Sequence, residues 1–241
     1  ALLGGDKTSS LNYGEIWHFF DKEIKYPVTN LFTDYFDEIN LDSYDVLIVP
    51  SIRGSWFNDD RRQKLNEWVS SGGKLILVGS AINGVVDKDG FGITQYANEE
   101  EKKAADKEEE ALKKENVLLK YDHRERAEIS NYMSGAIYRV YMDDTHPLAF
   151  GYKETYFSLK TGSSRFGYLP NGGNVGVIKN DSDWYSGFVG ANIKKKMTAS
   201  LVFGVEKKGR GNIIYMVDNP LFRDFWESGK LLFANAVFMV D

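Results

Sequence analysis

The chain has no cysteine, only five prolines and only three histidines. Without cysteine there can be no disulfide, no thiolate nucleophile and no zinc–thiolate site. No apolar run approaches the roughly 18 residues that a membrane helix needs, so no membrane span is expected. Net charge is -5 with no basic stripe, which argues against nucleic acid as a partner. The turn at residues 4–10 is rich in Gly, Thr and Ser, but it has neither the G-x-G-x-x-G nor the P-loop spacing of a phosphate cradle. His18 and Asp21 share a helix face, yet no third ligand accompanies them. No metal site and no cofactor is therefore expected.

What is present is enough for a substantial core. The 241 residues are 42% hydrophobic and 14% aromatic, which fits a single domain over residues 1–241 carrying an insertion. The chain begins at Ala1, on what reads as the end of a strand. A fragment of a longer or processed chain is expected, with any signal peptide upstream. Lack of cysteine fits an extracytoplasmic bacterial protein, so a periplasmic or secreted location is the expectation.

The organising stretch runs from Ser71 to Gly84. Gly72-Gly73 stops a helix. Residues 74–78 form a short apolar run, the mark of a strand covered on both faces. Gly79-Ser80-Ala81 then turns where an α/β enzyme carries its nucleophile. Around this stretch the pattern predicts strands at 1–5, 26–32 and 44–50, an amphipathic helix at 11–24, and a helix at 58–70 capped by Asn58 or Asp59. The loop Pro50-Ser51-Ile52-Arg53-Gly54 falls at a strand's carboxyl end, where open α/β sheets bind ligands. Residues 98–132 read as a charged insertion, helical at first, with Glu99/Lys103, Glu109/Lys113 and Glu110/Lys114 at i,i+4 spacing. From residue 134 the texture is β, with short strands between Gly/Asn turns, a buried strand at 212–217 and a closing helix at about 225–240.

The order of elements resembles the class I glutamine amidotransferase-like fold, a flavodoxin-like doubly wound α/β sheet, here with a charged helical insertion and a β-rich second half. Working members place cysteine in a Gly-x-Cys turn and histidine in a His-Pro-Glu turn. The matching turns are Gly79-Ser80-Ala81 and Asn219-Pro220-Leu221. The resemblance puts Ala81 at the nucleophile, Asn219 at the histidine and Leu221 at the glutamate, a degenerate triad that implies no glutaminase activity. Four segments are similar to a non-catalytic C-terminal domain of bacterial, Bacteroidetes-type, zinc carboxypeptidase-like proteins. They are Gly14-Glu15-Ile16-Trp17-His18-Phe19-Phe20-Asp21, Tyr44-Asp45-Val46-Leu47-Ile48-Val49-Pro50-Ser51, Thr145-His146-Pro147-Leu148-Ala149-Phe150-Gly151-Tyr152 and the run 218–226 that begins Asp218-Asn219-Pro220. The His-Pro-Leu-Ala-x-Gly segment also resembles trehalose-utilisation-type and β-galactosidase-associated relatives.

This resemblance implies an accessory domain, partnered by an upstream peptidase domain of the same chain. Its role would be packing on that domain or binding peptide or cell-wall material. A small-ligand or carbohydrate-binding module is the alternative. It would use Glu15, Ser51, Arg53, Ser80, His146, Asn219 and Arg223, with Trp56-Phe57 and Trp184-Tyr185 as surfaces for sugars or a partner unless they are core. A further alternative is a hydrolase with a relocated site, Ser80 with His146 and Asp143 or Asp144.

Overall fold

A computed structural model describes residues 1–53, 56–96 and 98–241; Gly54, the last residue of the expected 50–54 loop, lies outside them. The strands are β1 (Leu2–Gly4), β2 (Asn30–Phe32), β3 (Val46–Val49), β4 (Lys74–Val78), β5 (Met133–Met142), β6 (Thr155–Lys160), β7 (Gly173–Ile178), β8 (Trp184–Val189), β9 (Ser200–Lys208) and β10 (Gly211–Met216). The helices are α1 (Ser10–His18), α2 (Asp59–Ser71), α3 (Glu99–Val117), α4 (Tyr121–Ser130), α5 (Ala191–Lys196) and α6 (Glu227–Phe238). They build one mixed sheet in the order β2-β1-β3-β4-β10-β9-β7-β5-β6, with β8 also paired to β5. The run from β2 to β10 is parallel. From β9 onward every pairing is antiparallel.

Within the parallel half β1, β3, β4 and β10 are covered on both faces, which explains their apolar runs, while the edge strand β2 exposes Asn30 and Phe32. Successive side chains point to opposite faces of a strand. Leu2, Ile48, Ile76 and Val78 therefore join a core with Ile16, Phe19 and Phe20 of the α1 segment and Leu232, Phe233 and Ala236 of α6. Leu3, Leu47, Val49, Leu75 and Leu77 join the opposite core with Leu65, Trp68 and Val69 of α2. Asn58 caps α2, its side chain accepting from the Arg61 N–H at 2.8 Å, and Gly72 ends the helix at φ 127°.

Several boundaries differ from expectation. The expected strand at 26–32 keeps only Asn30–Phe32; Pro27 has no N–H to give a ladder, and the Tyr26 N–H is taken by the Phe20 carbonyl. The helix expected at 11–24 is α-helical to His18 and then widens into a π-turn over Phe19–Glu23. α6 starts two residues later than expected, because Trp226 takes a non-helical ψ of 69°. The insertion is a pair of helices with solvent on most sides. α4 has no buried residue, and Leu118 and Tyr121 are almost fully exposed. Glu109 pairs with Lys113 at 2.5 Å, and Glu110 reaches Lys114 at 4.0 Å. No helix among the described residues is long and apolar enough to cross a membrane.

Candidate functional site at the carboxyl edge of the sheet

Register brings the site together. Val49 pairs with Leu77, and Val78 pairs with Met216, so β3, β4 and β10 end close to one level. The turns after them meet the first turn of α1. Between them lies a cavity of about 330 Å³, lined among others by Asn12, Glu15, Ser51, Gly79, Ser80, Asp218, Asn219, Phe222 and Arg223. It occupies the crevice at the carboxyl ends of the strands where doubly wound folds take ligands.

The turn after β4 is sharp, and its left-handed residue is Gly79, at φ 58°. A nucleophile elbow displays its side chain from such a strained residue. Ala81, the position expected from motif spacing, is instead fully buried in the core with Leu77 and Ile82 and does not line the cavity. Gly79 has nothing to display, and a Cβ there would lie 2.5 Å from Ser51 Oγ. The neighbouring polar groups are tied to backbone. Ser80 Oγ donates to the Ile52 carbonyl at 3.1 Å, Ser51 Oγ to the Val78 carbonyl at 3.4 Å, and the Ser80 N–H to Ser51 Oγ at 3.3 Å.

Glu15 organises the opposite wall. One carboxylate oxygen accepts from Asn219 Nδ2 at 2.6 Å and Asn12 Nδ2 at 3.2 Å; the other accepts from the Arg223 N–H at 2.7 Å. Asn12 is buried, and its Oδ1 accepts from the Ser51 N–H at 2.7 Å, linking α1 to the loop after β3. Asn219 Oδ1 accepts from the Leu221 N–H at 3.0 Å. Asn219 therefore acts as a brace between Glu15 and its own turn. Leu221 is buried in the core beside α6.

Beneath this wall is a buried charge pair that sequence reasoning missed. Lys160 Nζ, with the side chain only 2% exposed, donates to Asp218 Oδ1 at 2.8 Å, and Ser158 Oγ donates to Asp218 Oδ2 at 2.6 Å. Strand parity carried the signal. Tyr156, Ser158 and Lys160 share one face of β6, and the exposed Phe157 lies on the other, so Lys160 had to point inward. Tyr138, paired with Ser158 across β5 and β6, is fully buried, and its hydroxyl has no hydrogen-bond partner among the described residues. Burial, and then the charge of Asp218, push its pKa up to about 12.

Glu15, Ser51, Ser80, Asn219 and Arg223 thus converge on the cavity, while two other expected residues do not. Arg53 is exposed on the loop after β3, its backbone N–H bonded to the Lys7 carbonyl. His146 caps the short turn Pro147–Ala149, its Nδ1 accepting from the Leu148 N–H at 3.1 Å, and burial lowers its pKa. No histidine lines the cavity, so the Ser80–His146 arrangement is not assembled. Trp56 and Phe57 are buried core residues, whereas Tyr185 is 69% exposed.

His18 faces Asp224 at 3.4 Å, while Asp21 pairs with Lys22. His18, Glu23 and Asp224 could bring ligand atoms within 4.8 Å of one another. Lys230 already supplies positive charge there, 2.6 Å from Glu23 and 3.2 Å from Asp224.

No protein-family model and no curated protein matches the chain. Solved structures do. A ThuA-like protein from Parabacteroides merdae superposes with TM-score 0.56 at 11% identity, over 99% of this chain and 88% of that one. A GMP synthase-type protein from Thermoplasma acidophilum gives 0.55 at 10%, over 99% and 92%. An exo-β-1,4-mannosidase from an Opitutaceae bacterium gives 0.51 at 10%, with this chain spanning only 36% of the enzyme. At such identities the likeness speaks for the fold alone. With the parallel order β2-β1-β3-β4-β10, it establishes a flavodoxin-like, class I glutamine amidotransferase-like fold.

Proposed function

We propose that this chain is a non-catalytic binding module built on the amidotransferase-like scaffold. The observation that carries this reading is the turn after β4. Its left-handed residue is a glycine, and the hydroxyls beside it are committed to backbone partners. Covalent catalysis needs a nucleophile with a base in reach. No cysteine exists in the chain, and no histidine lines the cavity. The cavity nonetheless stays open and combines apolar walls with a few polar groups, as ligand sites do.

The finer form of the proposal makes the chain an accessory domain of a secreted or periplasmic zinc carboxypeptidase-like protein, packing on an upstream peptidase domain or holding substrate or cell-wall material. Its support is the sequence resemblance in the 14–21, 44–51, 145–152 and 218–226 segments. Zinc and the hydrolytic water would then belong to the upstream domain. A carbohydrate-binding role has one observation in its favour: Tyr185 and Phe157 form an exposed ring pair, centroids 4.9 Å apart, on the outer face of the β5–β6–β8 sheet.

The test is turnover by the chain itself. Glutamine and peptide substrates should release no ammonia or amino acid above the buffer rate. Activity that survives chelation and scales with protein concentration would overturn the reading.

A further inference from the structure

The cavity holds one charged group that the scaffold does not use. Arg223 sits at φ 47°, and the next residue, Asp224, at φ 61°. Left-handed non-glycine residues are uncommon, and each costs on the order of 1–3 kcal/mol. The strain is held from three sides: Glu15 accepts the Arg223 N–H, the Leu221 carbonyl accepts the Asp224 N–H at 2.9 Å, and Lys230 pairs with the Asp224 carboxylate at 3.2 Å. All three restraints act on backbone or on Asp224. The guanidinium itself lies over the Phe222 ring at 5.3 Å and makes no hydrogen bond or ion pair with any described residue. An incoming ligand therefore meets a free, planar cation.

The other charges of the cavity are spent. Glu15 receives N–H donors from Asn12, Asn219 and Arg223, and Asp218 is paired with Lys160 and Ser158. Among the lining hydroxyls, Thr161 and Ser164 have no partner among the described residues and can serve a ligand's polar groups. Leu11, Val217 and Phe222 give the cavity apolar surface. The Glu15 carboxylate, which has only neutral N–H partners, repels a doubly charged anion more than a singly charged one. A guanidinium fork matches the two oxygens of a carboxylate.

We propose that the cavity binds a small molecule through its carboxylate, held by Arg223, with the rest of the ligand on the apolar and hydroxyl-bearing walls. This rests on the reading of the cavity as a binding site and adds the chemistry of its ligand. A cavity of about 330 Å³ suits one or two residues of an acyl-peptide or one acidic sugar, both of which offer that carboxylate.

Titration followed by protein NMR or calorimetry separates the outcomes. The probes are N-acetyl-alanyl-alanine against its C-terminal amide, galacturonic acid against galactose, and inorganic phosphate. At least one acid should bind about 10- to 100-fold more tightly than its neutral partner, the worth of a charge-assisted hydrogen bond. Arg223→Gln should remove that preference, and Arg223→Lys should retain part of it. Which acid binds identifies the source of the carboxylate. Equal binding of acid and neutral partner, or phosphate binding more tightly than either acid, overturns this inference and leaves a binding cavity. No saturable binding by any probe overturns both.

Discussion

The turns after β4 and β10 stand side by side at the same edge of the sheet and have been treated in opposite ways. After β4 the strained position is a glycine, the next residues run into a 3-10 turn that buries Ala81 and Ile82, and the Ser51 and Ser80 hydroxyls are bonded to backbone carbonyls. Strain has been removed there, and no side chain projects into the cavity from Gly79. After β10 the strained positions are Arg223 and Asp224, although glycine at either would relieve the backbone. A network rooted in Glu15 holds the strain in place. Left-handed φ also occurs at Lys25, Asp87 and Ala199, so strain alone does not mark a site; what sets the β10 turn apart is that its strained arginine lines the cavity, where the proposed binding role gives the strain a use.

The largest expected effect tests whether the β10 turn stands on its buried charge pair. Asp218→Asn leaves the Lys160 ammonium buried without its counter-ion, at a cost of about 3–5 kcal/mol, read as a lower midpoint in urea. Replacing both partners, Lys160→Met with Asp218→Leu, should recover most of that loss. If the single change is silent, the pair does not support the cavity.

A control for this result lies in the antiparallel half, away from both turns. Asp183 is fully buried. Burial is the largest single influence on it and raises its pKa, but the Arg139 guanidinium and the Asn180 and Lys179 N–H groups together outweigh burial and hold the carboxyl below its ordinary value. A depressed folded pKa stabilises above the ordinary carboxylate range, and that stability is lost as pH falls below about 4. Asp183→Asn should cost about 1.5–3 kcal/mol at neutral pH and should flatten the acid limb of a stability–pH curve. An unchanged acid limb would remove Asp183 from the account.

The sharpest contrast is a pair of small changes with opposite signs. Gly79→Ala forces a Cβ into a left-handed position beside Ser51 Oγ and should cost about 1–2 kcal/mol. Arg223→Gly removes an exposed side chain from the same backbone region. It should leave stability unchanged or raise it by up to about 1 kcal/mol. Both are read from denaturation midpoints at constant slope. A loss above about 1 kcal/mol for Arg223→Gly would mean that the arginine serves folding.

The sequence made β3, β4 and β10 legible because each is buried on both faces and so has one environment. Residues 46–49, 74–78 and 211–216 are apolar runs between helix and turn signals, and both caps of α2 are written in Asn58 and Gly72. The cavity was legible for the same reason, since its place follows from strand ends. The rest depended on information that spacing does not carry. α5 was missed because six residues, Ala191–Lys196, are too short for a periodic pattern. Motif spacing put the nucleophile position at Ala81, and it does not locate the left-handed residue of the turn, which is Gly79. Nothing in the run Phe222-Arg223-Asp224 signals positive φ; contacts with Glu15 of α1, Lys230 of α6 and the Leu221 carbonyl hold it. Lys160 could have been placed inward from strand parity, but its counter-ion lies 58 residues away.

The central claim is that the turn after β4 has no working nucleophile, and a covalent probe meets it most directly. The chain is incubated with excess fluorophosphonate and its intact mass measured, with peptide mapping of any adduct. The account predicts no adduct, because Ser80 Oγ is bonded to the Ile52 carbonyl and no histidine lines the cavity. A stoichiometric adduct on Ser80 would contradict it.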